Sequence, residues 1–135
     1  MKPSKDCVFY LAARYSRREE LCTYRKELQR LGYKVQCRWL DGKRQISGDS
    51  NVKNASLRAK FAFDDFEDVM SSHCVINFTE PPRSGHSRDG RHIEFGLALA
   101  NDAFVVVIGH RDNIFHWLPE VSFYSDWESF KREVL

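Results

Sequence analysis

The chain has 135 residues, of which 42% are hydrophobic and 30% charged, and its net charge is +2. That composition fits one globular domain spanning 1–135, and so small a charge gives no reason to expect a nucleic-acid polymer as partner. No apolar run approaches the roughly 20 residues of a membrane span, and the opening residues show no leader pattern, so a cytoplasmic protein without a membrane partner is expected.

In chain order, Cys7–Ala13 is an apolar run of strand length. From Arg17 to Leu31 the period changes, with Leu21, Tyr24, Leu28 and Leu31 recurring at three and four, which predicts an amphipathic helix closed by Gly32. Tyr33–Leu40 alternates and predicts a second strand. The polar stretch 41–54 predicts a long loop, of the kind that forms lids or binding loops. Ser56–Ser72 predicts a second helix with Ala59, Ala62, Phe63, Phe66, Val69 and Met70 turned inward. On the same reading Asp64, Glu67 and Asp68 face solvent. Cys74–Phe78 predicts a third strand, and Thr79–Arg91 a loop rich in Pro, Gly, Ser and Arg. His92–Asn101 is apolar nearly all round and predicts a buried third helix. Phe104–Ile108 and Val121–Tyr124 predict two further strands, the first covered on both faces. Ser125 and Glu128 have the spacing of a capping box ahead of a last helix whose Trp127, Phe130 and Val134 face inward.

This alternation predicts an α/β, flavodoxin-like, doubly wound five-stranded parallel sheet of order 2-1-3-4-5. Ligands in such sheets lie outside the carboxyl ends of the strands where the order reverses, here after strands 1 and 3.

Four features near that point carry candidate chemistry. Glu94, read in the opening turn of the third helix, is held ionised there by the helix N-terminus. It serves either as a nucleophile toward an anomeric carbon or simply as a partner for helix-start N–H groups. Asp65 borders the inner face of the second helix and is a candidate proton donor or sugar-hydroxyl ligand. The basic loop Arg83–His92, with Ser84, Asp89, Gly90, Arg91 and His92, is a candidate cradle for an anion such as a 5′-phosphate. At the exit of strand 1, Ala12 allows close approach of a ligand and Arg14 can pair with phosphate, while Tyr10 reads as a carboxylate partner, a base-stacking ring or a core residue. Cys7, Cys22, Cys37 and Cys74 and the five histidines lack metal-ligand spacing, and no dinucleotide fingerprint is present, so neither metal nor cofactor is expected.

Val8–Ala13, Asp65, Phe78-Thr79-Glu80-Pro81-Pro82 and Gly90–Ala98 occur in that order along the chain. Together they resemble the nucleoside 2-deoxyribosyltransferase family, which includes relatives that hydrolyse nucleoside 5′-monophosphates. The resemblance implies that Glu94 is the catalytic glutamate, that Tyr10 contacts it, and that Asp65 holds the sugar or assists the leaving base. It further matches Asp89 to an acidic residue near the base and Asn113 to a residue that reaches in from a neighbouring subunit, and so implies a homo-oligomer. The expected partner is a small nucleoside or nucleotide. A nucleotide-binding sensor without turnover and an interaction protein of the same fold are the competing readings.

Overall fold

A computed structural model describes residues 2–42, 54–81 and 90–135. Five strands, β1 (Val8–Ala12), β2 (Lys34–Val35), β3 (Cys74–Phe78), β4 (Phe104–Ile108) and β5 (Val121–Tyr124), form one sheet of order β2-β1-β3-β4-β5. Every pair is parallel, as predicted, and β3, β4 and β5 have the predicted bounds. The second strand is much shorter than predicted, because Arg38–Asp41 turns into a single 3-10 turn that buries Trp39 and Leu40.

Four helices follow the strands: α1 (Arg18–Arg30), α2 (Ala55–Met70), α3 (Gly90–Ala100) and α4 (Trp127–Val134). The chain steps one way along the sheet through α1 and the other way through α2 and α3, so right-handed crossovers place α1 on one face and α2 and α3 on the other. α4 joins α1: Trp127 Nε1 donates to Glu27, and the Trp127 and Phe78 rings stack against Tyr24. Gly32, at φ 94°, ends α1 in a Schellman motif, with Gly32 N–H bonded to Gln29 and Tyr33 N–H to Leu28. The cap of α4 is Asp126 rather than Ser125, its carboxylate accepting from Ser129 N–H. Trp127, Phe130 and Val134 are buried as expected.

α2 departs most from its reading. Of its six predicted inward residues only Val69 is buried, while Phe63 is 60% and Phe66 48% exposed. The buried positions are instead Asp64 and Asp68, which pair with Arg38 at 3.3 and 2.9 Å. Asp68 also accepts from the Arg38 backbone N–H and from Gln36. The charged face of α2 is therefore turned toward the 3-10 turn after β2, and its apolar stripe points outward. α3 likewise buries Arg91, Phe95 and Ala98 but leaves Ile93 exposed, so it is half-buried rather than enclosed.

Candidate active site

Alternation along β1 sends Tyr10 and Ala12 to the α2/α3 face, and the parallel register sets Val75 and Asn77 of β3 beside them. Glu94 is the fifth residue of α3, beyond its first turn, and faces back onto β1. There the Tyr10 hydroxyl donates to the Glu94 carboxylate. Glu94 and Asp65 line one cavity of about 170 Å³ together with Ala13, Tyr15, Trp39 and Phe61. Trp39 is fixed by its Nε1–H donating 2.8 Å to the Leu11 carbonyl. Among the described residues, two wider depressions, one between α1 and α4 and one at the carboxyl ends of β3 and β4, contain neither Glu94 nor Asp65.

The electrostatics differ from the expectation of a carboxylate held ionised by a helix N-terminus. Burial pushes Glu94 up to about 8, the nearby Asp65 charge adds to that rise, and the hydrogen bond from Tyr10 opposes it. Being past the first turn, Glu94 gains little from the helix end, whose field falls off within one turn. Burial, and then the Glu94 charge, hold the Tyr10 phenol well above its usual range, so it stays a donor. Burial also raises the Cys37 thiol, which donates to the Leu11 carbonyl at 3.3 Å. Cys37 is thus no ready thiolate.

The remaining candidates fall in different places. Ala12 is buried within the sheet, and Ala13 lines the cavity instead. Arg14 pairs with Glu80 at 3.4 Å. Gly90 opens α3, and among the described residues no atom from elsewhere in the chain lies within 4 Å of the position a Cβ would take there. Arg91 is buried and donates 2.7 Å to Asp112, and His92 stands beside His116. Asn113 caps the 3-10 turn Ile114–Trp117 by accepting from Phe115 N–H. Ser84 and Asp89 lie outside the described residues, as does most of the predicted 41–54 loop. Two of the cations read as a phosphate cradle, Arg14 and Arg91, are therefore already matched to carboxylates.

Asn77 was not read from the sequence. It is fully buried on the Tyr10 face, and neither atom of its amide has a hydrogen-bond partner among the described residues. Buried polar groups are nearly always satisfied, so this amide stands out on the sheet face that also carries Tyr10, although it is not among the residues lining the cavity. One signal was available: Asn77 is the only polar residue in the apolar strand Cys74–Phe78.

No protein-family model and no curated protein sequence matches the chain. Solved structures do. A 2-deoxyribosyltransferase from Bacillus psychrosaccharolyticus superposes with a TM-score of 0.67 at 15% identity, over 90% of this chain and 88% of its own. The CMP N-glycosidase BcmB of Clostridium botulinum gives 0.61 at 16%, over 93% and 96%. A conserved protein from Enterococcus faecalis gives 0.54 at 16%, over 87% and 79%. At these identities the likeness is one of fold: the chain has the five-stranded, flavodoxin-like α/β fold of a 2-deoxyribosyltransferase and of a CMP N-glycosidase.

Proposed function

We propose that this protein cleaves or exchanges the N-glycosidic bond of a nucleoside or nucleoside 5′-monophosphate, with Glu94 as the nucleophile. The observation that carries this reading is the Tyr10–Glu94 hydrogen bond at the wall of a cavity that Asp65 also lines. The shared fold with a deoxyribosyltransferase and a CMP N-glycosidase supports the same chemistry.

In the proposed reaction the ionised Glu94 carboxylate attacks the anomeric carbon through an oxocarbenium-like transition state. The C–N bond breaks, its electron pair leaves with the base, and Asp65 supplies a proton to the base or holds a sugar hydroxyl. Water or a second base then attacks the same carbon, the C–O bond to Glu94 breaks with its electron pair returning to the carboxylate, and the attacking group's proton passes to the Asp65 carboxylate. Tyr10 donates to the carboxylate and stabilises its charged form as it is freed, and Trp39 and Tyr15 offer aromatic surface to the base. Asn77 is assigned to a hydrogen bond with the bound ligand.

The exposed stripe of α2 supports the homo-oligomer as well. Phe63, Phe66 and Met70 recur at three and four on one face, and Ile114, Phe115 and Trp117 are exposed on the segment that carries Asn113. Apolar patches of this kind mark protein contacts, and a second copy of this chain is the partner we assign to them.

The experiment is a panel of nucleosides and 5′-monophosphates incubated with and without an acceptor base. Products are resolved by chromatography, and the protein is weighed by intact mass spectrometry for a glycosyl adduct on Glu94. Base release that depends on Glu94 is the expected result. Nucleotide binding without any base release over hours would replace this reading with the sensor.

A further inference from the structure

We propose that His92, Asp112 and His116 form a binding site for one transition-metal dication of the zinc type, which clamps the segment after β4 onto the start of α3. The site is separate from the cavity around Glu94, whose lining includes none of the three.

One ligand atom from each of these residues lies within 4.8 Å of the other two. His116 Nδ1 and Asp112 Oδ1 are already 3.3 Å apart. Ligand atoms around a tetrahedral zinc, each about 2 Å from the ion, stand about 3.3 Å from one another, so a modest side-chain adjustment completes the set. Two imidazoles and a carboxylate are a donor set that zinc accepts, with a fourth position left for water.

The hydrogen-bond pattern independently points to a ligand. His116 is fully buried, yet neither of its ring nitrogens has a hydrogen-bond partner among the described residues. Asp112 Oδ1 and His92 Nδ1 are in the same condition, four orphaned potential ligand atoms in one neighbourhood. Such a concentration is rare in a folded protein, where buried polar atoms find partners. An ion would coordinate Asp112 Oδ1, which now only approaches His116 Nδ1 without a well-formed hydrogen bond, together with a nitrogen of each histidine. An anion is disfavoured, because the Asp112 carboxylate faces the space.

The surroundings hold the ligands in place. Arg91 donates to Asp112 Oδ2 at 2.7 Å and leaves Oδ1 for the ion, the outer-shell support that ligating carboxylates characteristically have. The His116 ring packs edge-on against Phe95. Upstream, the Thr79 hydroxyl donates to the His110 carbonyl and accepts from its N–H. Gly109, at φ 118°, lets the chain turn there, and any side chain at that position would strike Thr79. The segment bearing Asp112 and His116 is thus anchored before it reaches α3.

The test adds Zn²⁺ or Co²⁺ alone to the untagged, metal-free full chain. We expect uptake of one ion per chain, a rise in the melting temperature, and a visible cobalt spectrum of a four-coordinate nitrogen–oxygen site. His92→Gln and Asp112→Asn should each weaken binding at least about tenfold, the loss already seen when mere outer-shell partners are removed. His116→Gln should do the same, and the other two variants carry the test where that buried position does not tolerate change. His110→Ala, on the exposed side of the turn, should bind normally. No uptake by the folded protein overturns the site. So does uptake that survives in His92→Gln and Asp112→Asn, or a thiolate-to-cobalt charge-transfer band, which would place the ion on cysteine.

Discussion

Tyr10 of β1 and Glu94 of α3 are 84 residues apart in the chain and meet through one hydrogen bond from phenol to carboxylate. The bond sits on a conflict. Burial favours a neutral Glu94, whereas a nucleophile must be ionised, and Tyr10 is the group that shifts the balance back.

The conflict predicts opposite effects of Glu94→Gln on activity and stability. Glu94 titrates near 8 when folded and near 4.5 when unfolded. Between these values the unfolded chain binds fewer protons, so stability falls as pH rises. The contribution is complete below the unfolded value and lost above about 8. Glutamine is neutral throughout and still accepts from Tyr10. The variant should lose at least about 10³-fold in turnover and gain about 1–2 kcal/mol over the natural protein at pH 8. The gain should vanish near pH 4.5. Urea unfolding across that range is the measurement, and a gain independent of pH would contradict the assignment.

Catalysis should follow the same titration with the reverse sign. With ionised Glu94 as the proposed nucleophile, kcat/KM should rise with pH and level off above about 8. Tyr10→Phe removes the bond that favours the charged form, so the midpoint should move upward by about one unit. At pH 7 the variant should be about tenfold slower or worse. An unmoved midpoint would show that Tyr10 does not tune Glu94.

Asn77 should behave as a ligand-binding group rather than a structural one. Its amide bonds to no protein group among the described residues, so Asn77→Ala gives up no hydrogen bond to any of them. The variant should unfold within about 1 kcal/mol of the natural protein, since the cavity it opens is offset by the removal of an unsatisfied polar group. It should also lose about tenfold or more in kcat/KM. A large stability loss with unchanged kinetics would reverse the assignment.

Asp68 is the opposite case, a carboxylate whose work is structural. It is almost wholly buried and accepts from Gln36, from the Arg38 guanidinium and from the Arg38 backbone. Asp68→Ala leaves three donors without their acceptor and should destabilise the fold by about 3 kcal/mol. Catalysis at a permissive temperature should change little. A loss below about 1 kcal/mol would mean that water replaces the carboxylate.

These two residues show what the sequence could and could not convey. Strand order was legible because alternating elements and right-handed crossovers leave few topologies, and the apolar runs of β3 and β4 have sharp ends. The meeting of Tyr10 with the helix bearing Glu94 followed from the switch point and from resemblance. The ionisation of Glu94 was not legible, because a helix that starts two residues earlier, at Gly90 rather than His92, moves Glu94 beyond the first turn and away from the helix-end field. His92 and His116 lie 24 positions apart without ligand spacing, and only the turn after β4 brings them together. Periodicity found the apolar stripe of α2 but not its direction, since a stripe facing a sheet and one facing a partner have the same period.

That direction yields a last prediction. Phe63 and Phe66 are exposed while Asp64 and Asp68 of the same helix are buried, an arrangement costly for a lone chain in water. A second copy covering the stripe removes the cost. Light scattering should therefore give at least a dimer, and Phe63→Lys with Phe66→Lys should dissociate it while keeping the monomer folded, because neither ring is in the core. If Asn113 reaches a neighbouring site, the dissociated double variant should also lose kcat/KM, although neither ring lines the cavity with Glu94. A natural protein that is monomeric at high micromolar concentration would refute the interface, and full activity in a monomeric double variant would refute the contribution of Asn113.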